Sequence, residues 1–199
     1  MDSNYFSAAY IAHAFLQPWL QNPPSSPPPK NQPPKHIIFT SSVVSFYPIV
    51  GYSPYSPSKT ALRTLSDTLS QELLLYTPHC PIKTHTIFPG TIFTASLDRE
   101  NLIKPGITKK LEESDGGQTA DEVARASVRG LERGEELVTT GGLLGYAMKV
   151  GMLGSSRRNG WGVLDTVVGW VVLVVMVVVR WDMDGTVRKW GEERLGKKA

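Results

Sequence analysis

The stretch His36 to Lys59, HIIFTSSVVSFYPIVGYSPYSPSK, constrains what this chain can fold into more than any other. Its front, His36 to Thr40, is a short apolar run with β-branched residues that follows a proline-rich segment and ends in serines. That pattern reads as a buried strand. Past Ser41 and Ser42 the chain loops, and Tyr55-Ser56-Pro57-Ser58-Lys59 opens a helix in which Tyr55 and Lys59 share a face. A phenol and an ammonium are thereby held side by side above a strand end, the edge at which open α/β sheets bind ligands. Downstream, Leu62, Leu65, Leu69 and Leu73 lie on one helical stripe, and Ile82 to Thr91 alternates as a strand stopped by Pro89-Gly90. Strand, helix and strand make a βαβ crossover, which requires parallel strands.

The chemistry this set can perform is proton transfer to a carbonyl. A tyrosine with a pKa near ~10 is a poor acid or base at neutral pH, and the Lys59 cation is expected to favour phenolate and lower that value. A serine hydroxyl at the adjacent strand end would hydrogen-bond the same substrate oxygen. Ser42 precedes Tyr55 by thirteen residues and Tyr55 precedes Lys59 by four. Ser41 takes the place of Ser42 if the register shifts by one, whereas Ser45 lies too near Tyr55. Taken singly, Tyr55 reads as an aromatic at a helix start and Lys59 as a solvated cation. Their joint occurrence with Ser42 and Pro89-Gly90 points to a site.

Ser42, the Tyr55-x-x-x-Lys59 pair, Phe88-Pro89-Gly90 and Asn4-Tyr5-Phe6 together resemble the short-chain dehydrogenase/reductase family. The resemblance implies an α/β fold, the C-terminal part of a Rossmann-like doubly wound parallel sheet. It further implies catalytic roles for Tyr55, Lys59, Ser42 and Asn4: Tyr55 as proton donor, Ser42 polarising the ketone, Lys59 holding the nicotinamide ribose, Asn4 positioning a water. Pro89, Gly90 and either Thr94 or Thr91 would contact the nicotinamide, joining Tyr55 and Lys59 as cofactor-binding residues. The order of Asn-Tyr-Phe, Tyr-Ser-Pro-Ser-Lys, Phe-Pro-Gly, a glycine-rich stretch and a C-terminal apolar helix is similar to one membrane branch, the fungal-type 3-ketodihydrosphingosine (3-dehydrosphinganine) reductases. That likeness implies NADPH-dependent reduction of a long-chain 3-keto sphingoid base at the endoplasmic reticulum membrane, with the catalytic part facing the cytosol. Membrane lipid and a second copy of the chain are the further partners expected. Other lipid, steroid or retinoid dehydrogenases with the same tetrad are the alternative.

The remaining segments set the boundaries. Residues 1–140 form a partial catalytic domain, with Tyr5 to Leu20 an amphipathic helix and 22–35 a proline-rich surface insertion. Asn4, read alone, is a polar residue at a helix start. Thr91 to Gly117 is polar and irregular, a mobile lid or a surface loop. Thr119-Ala-Asp-Glu122 has capping-box spacing and starts a helix ending near Gly134, and Glu136 to Thr140 is a last short strand. Residues 141–160 are a lid or membrane-proximal segment. Residues 161–181, dominated by valine with tryptophans at both ends, read as a transmembrane helix or else as a buried strand pair, and 182–199 form a charged tail. Net charge of +3 with no basic cluster interleaved with aromatics argues against nucleic acid. Cys80 is the only cysteine and fits a reducing compartment, and the scattered His13, His36, His79 and His85 offer no metal-ligand spacing.

No glycine-rich turn between a strand and a helix precedes Asn4. In the family, a G-x-x-x-G-x-G loop there cradles the pyrophosphate and a following basic residue takes the 2′-phosphate. Two expectations follow. Either the N-terminal half of a reductase lies outside this sequence, or the polypeptide is a noncatalytic, membrane-attached remnant. The strand next to Ile37 to Thr40 would belong to the same half, leaving that sheet edge open.

Overall fold

A computed structural model describes residues 1–21, 33–47, 49–77, 79–113 and 116–151, with scattered helical positions between 166 and 193. Helix α1 (Ser7–Gln21) follows a single π-helical turn (Asp2–Phe6); strand β1 (Lys35–Thr40) leads through a short 3-10 turn at Val43–Ser45 to α2 (Ser56–Glu72). Strand β2 (Ile82–Phe88) is followed by β3 (Thr91–Ile92), α3 (Ala95–Ile103), α4 (Gly106–Glu112) and β4 (Gly117–Gln118). Helix α5 (Ala120–Glu132), strand β5 (Leu137–Thr139) and α6 (Gly142–Gly151) complete the order.

The sheet runs β1-β2-β5 with every pair parallel, so β1-α2-β2 is the expected crossover. Lys35 stands opposite Ile82 and Thr40 opposite Ile87; Phe88 stands opposite Thr139. Because side chains alternate along a strand, Phe39 and its partner Thr86 face one side and Ile87 and its partner Val138 the other. On the first side Phe39 meets Ala12 of α1 and Leu62 of α2. On the second, α5 comes so close to β5 that a Cβ on Gly130 would collide with Val138. Helices therefore lie on both faces, which is why β2, at the centre, is buried along most of its length. A second cluster, Leu16, Leu73, Cys80 and Ile82, seals the other end of the crossover.

Local chemistry explains the boundaries. Pro57 sits in the first turn of α2, where its missing N–H costs nothing. Thr119 and Glu122 close the capping box at α5, the Glu122 carboxylate accepting from the Thr119 amide at 2.8 Å and the Thr119 hydroxyl accepting from the Glu122 amide at 3.3 Å. The two hydrogen bonds from Thr119 hold the Glu122 carboxyl below its ordinary pKa.

Two expectations change. The segment Thr91 to Gly117 is not irregular: Thr94 caps α3, which buries no residue and so shows no apolar stripe, and Pro105 precedes α4, which spans only seven residues. Helix α1 carries Pro18 and begins after a π-helical turn rather than running straight from Tyr5. Residues 22–32 of the proline-rich insertion, 152–160 and most of 161–199 lie outside the described residues. Among the described residues no helix is long and apolar enough to cross a membrane.

Candidate active site

Three chain segments leave the carboxyl ends of adjacent parallel strands: Ser41-Ser42 after β1, Pro89-Gly90 after β2 and Thr140-Gly141 after β5. The ends are tied together. The Val43 amide donates to the Pro89 carbonyl at 3.0 Å, and the Ser42 hydroxyl reaches the same carbonyl at 3.4 Å. Helix α2 then brings Tyr55, at its N-cap, and Lys59, one turn on, over these ends. The pair is fixed by backbone bonds, the Lys59 amide donating to the Tyr55 carbonyl at 3.1 Å and the Ser58 hydroxyl to the same carbonyl at 2.7 Å.

The two serines divide their work. Ser41 is buried and donates to the Lys59 carbonyl at 2.9 Å, locking the start of α2 to the end of β1. Ser42, whose hydroxyl lowers the Tyr55 pKa, lines a cavity of about 590 Å³ with Ser41, Tyr55, Lys59, Pro89, Gly90 and Thr91. Both serines border the Tyr55 cavity, but the Ser41 hydroxyl is committed to the Lys59 carbonyl. Ser45 is turned back, donating to the Ser42 carbonyl at 2.7 Å.

The electrostatics differ from the sequence expectation. Burial pushes the Tyr55 phenol above its ordinary pKa; the Ser42 hydrogen bond pulls it down and the Glu100 carboxylate pushes it further up. Lys59 does not reverse this, because its ammonium sits over the phenol ring, 5.5 Å from the centroid, and donates to the Thr40 carbonyl at 3.0 Å. Burial in turn lowers the Lys59 pKa. The phenol is therefore held protonated at neutral pH, the form a proton donor needs.

Asn4 lies elsewhere than Tyr55. It lines a second cleft, about 450 Å³, with Thr40, Lys59, Ile11, Phe15 and Ile38. Thr40 and Lys59 line both spaces, so Lys59 is the link between Asn4 and the Tyr55 cavity. Asn4 belongs to the π-helical turn, a backbone irregularity that recurs at functional sites and left no trace in side-chain periodicity. Thr91 and Thr94 both line the Tyr55 cavity, but the Thr94 hydroxyl is already engaged, accepting from the Leu97 amide at 3.2 Å as the α3 cap.

Sequence reasoning missed four residues on the cavity wall. The Tyr52 hydroxyl donates to Glu112 at 2.6 Å or Glu100 at 3.1 Å, and Lys104, itself buried, pairs with Glu112 at 2.7 Å and Glu100 at 3.1 Å. Burial and the Glu112 contact drive the Tyr52 phenol far above its usual pKa; for Lys104, burial alone would lower the value, but the bonds to Glu112, Tyr52 and Glu100 raise it. The cluster ties α3 and α4 to the loop before α2. Its members come from three segments with no common period, so only the fold could reveal it.

The nicotinamide end of a dinucleotide fits these residues. A Cβ on Gly90 would meet nothing within 4 Å, so its backbone faces open space at the strand ends. Lys59, bonded once to Thr40, retains N–H donors.

The sequence pattern described as short chain dehydrogenase matches residues 1–103. The 3-ketodihydrosphingosine reductase of Neurospora crassa is 42% identical over 194 residues, a match that covers 98% of this chain and 52% of that protein. The protein of the same name in Aspergillus fumigatus is 42% identical over 202 residues, covering 96% and 54%. The chain thus spans about half the length of the curated relatives it matches. Among solved structures, a short chain dehydrogenase from Burkholderia cenocepacia in complex with NADP superimposes with a TM-score of 0.52 at 20% identity, covering 74% of this chain and 52% of that one.

Proposed function

The chain belongs to the short-chain dehydrogenase family, and on that premise we propose that it carries the substrate side of a reductase that converts 3-ketodihydrosphingosine to dihydrosphingosine with NADPH. The names of the 42%-identical relatives support the substrate. The observation that carries the reading is one cavity lined by Ser42, Tyr55 and Lys59, with the Tyr55 phenol kept protonated by burial and the Lys59 ammonium 5.5 Å from its ring centroid.

NADPH, when bound, supplies the hydride to the ketone carbon. Tyr55 donates its phenolic proton to the ketone oxygen, and Ser42 hydrogen-bonds that oxygen as negative charge develops on it. Lys59, anchored on the Thr40 carbonyl, offers its remaining N–H groups to the nicotinamide ribose. Asn4, on the far side of Lys59, holds a water from which the proton is replaced. Pro89, Gly90 and Thr91 form the wall against the nicotinamide. A ketone next to a long alkyl chain, a sphingoid base, fits a site at the endoplasmic reticulum membrane with the catalytic part in the cytosol. Residues 161–181 are the proposed membrane helix: Val171, Val174, Val177 and Val178 are helical and exposed, each at 59% or more, and have no aqueous reason to be so.

The test is product analysis. The 199-residue chain, and the same chain extended by any coding sequence upstream of Met1, are incubated with 3-ketodihydrosphingosine and NADPH, and the lipid is resolved by mass spectrometry. Dihydrosphingosine from either form supports the reading. Its absence from both, with folded protein, removes it.

A further inference from the structure

Beside the Tyr55 cavity lies a larger one, about 840 Å³, between the loop after β1, the glycine-rich start of α6 and the β3–β4 pair. Its apolar lining includes Val44, Tyr47, Ile49, Val50, Leu144 and Met148. No Asp, Glu, Lys or Arg lines it among the described residues, and its two most polar side chains satisfy each other: the Thr140 hydroxyl donates to Gln118 at 2.7 Å, and the Gln118 amide donates to the Thr140 carbonyl at 2.9 Å. Beyond these, only the Tyr47 and Thr91 hydroxyls bring polarity to an otherwise apolar, uncharged lining, which selects an uncharged, largely apolar occupant. The cavity is continuous with the site already described, since Val43, Val44, Ile49, Gly90 and Thr91 line both. Leu144 and Val50 are exposed at its wall, an arrangement that a bound apolar group would cover.

We propose that this cavity is the subsite for the saturated alkyl chain of the substrate, with the ketone held at Tyr55 and Ser42 and the chain passing Ile49 and Gly90 toward Leu144 and Met148. The inference rests on the reductase reading for its ligand. The second cleft, lined by Asn4, Ile11 and Phe15, is a poorer home for the chain because Lys59 stands between it and Tyr55. Each methylene that enters the cavity is worth about 0.8 kcal/mol, so substrate affinity should rise about fourfold per methylene until the space is filled.

The test is photolabelling of the 199-residue chain with an eighteen-carbon 2-amino-3-ketone that carries a diazirine at the chain terminus, followed by peptide mapping. The expected result is label on the peptides of Val50, Leu144 or Met148, reduced at least tenfold by unlabelled eighteen-carbon ketone and not by a six-carbon analogue. The variant Leu144→Trp, a change at an exposed position, should lower that label about tenfold while circular dichroism stays unchanged. Label confined to Ile11 and Phe15 or to Leu102 and Ile103, or no specific label, overturns the proposal. Product analysis with the same ketone keeps the two readings apart. Label in the cavity with no reduction by either the 199-residue chain or its upstream-extended form leaves the alkyl subsite standing and removes the reductase reading, whereas reduction with label elsewhere does the reverse.

Discussion

Replacing Lys104 with Met tests how α3 and α4 are held over the site. The Lys104 side chain is 4% exposed and its ammonium contacts Glu112, 18% exposed, at 2.7 Å and Glu100, 45% exposed, at 3.1 Å. Removing one partner of a buried pair costs about 3–5 kcal/mol, because the other charge stays buried and unpaired. Water already reaches Glu100, and that contact contributes at most about 1 kcal/mol. Glu112 is enclosed enough to place the whole effect near the lower end, about 3 kcal/mol. The loss falls on the opening of α3 and α4 rather than on the sheet, so hydrogen exchange is the assay. The Lys109 amide, which donates to the Pro105 carbonyl at 3.1 Å, should exchange roughly 150-fold faster in Lys104→Met. Adding Glu112→Gln removes the stranded charge and should restore part of the protection, giving a coupling energy of about 2 kcal/mol between the two positions. Exchange within threefold of wild type, or strictly additive effects, would refute the tether.

Three other outcomes follow from the geometry. Ser42→Ala removes the hydrogen bond that lowers the Tyr55 pKa, so the alkaline limit of ketone reduction, already above the ordinary tyrosine value, should move further alkaline while kcat falls about tenfold or more; an unmoved limb in the pH–rate profile would count against the contact. The His36 pKa is lowered by desolvation, by His85, whose Nε2 is 2.8 Å from its Nδ1, and by Lys83. Stability from a depressed histidine is present above pH ~6.5 and lost as pH falls through the folded value. Urea melts should therefore weaken on the acid side, and His36→Gln should flatten that slope; an identical slope would assign it to other groups. Phe88, fully buried with its ring 4.3 Å from Phe46, should cost about 3–5 kcal/mol as Phe88→Ala and lower Tm by roughly 10 °C in a chain of this size; a shift under 3 °C would show that this core is not shared by the whole fold.

Much of this arrangement was written in local pattern. The β-branched run before Ser41, the leucine stripe after Lys59 and the capping box at Thr119 each follow from short-range physics, and β1, α2, β2 and α5 stand within a residue or two of the limits those signals set. The four-residue spacing sets Tyr55 and Lys59 one helical turn apart for the same reason, whereas Ser42 joins them in one cavity through the fold. What the sequence concealed depends on tertiary placement. Helix α3 buries no residue and so shows no apolar period; the Tyr52, Lys104 and Glu112 cluster draws on separate segments. The direction of the Tyr55 shift was misread because spacing placed a cation near the ring but could not show that the ammonium binds the Thr40 carbonyl while the phenol is desolvated. The apolar space beside the site depends on loops from three strand ends converging, which no window of sequence displays.

The most direct test of the central claim is the rate of 3-ketodihydrosphingosine reduction by Tyr55→Phe, in whichever form of the chain is active, with NADPH affinity measured by fluorescence titration in parallel. The change removes one hydroxyl and keeps the ring beside Lys59. A kcat lowered by about 10²–10⁴-fold with cofactor affinity nearly unchanged is the predicted result. Turnover within threefold of the unsubstituted protein would contradict the assignment of Tyr55 as the proton donor.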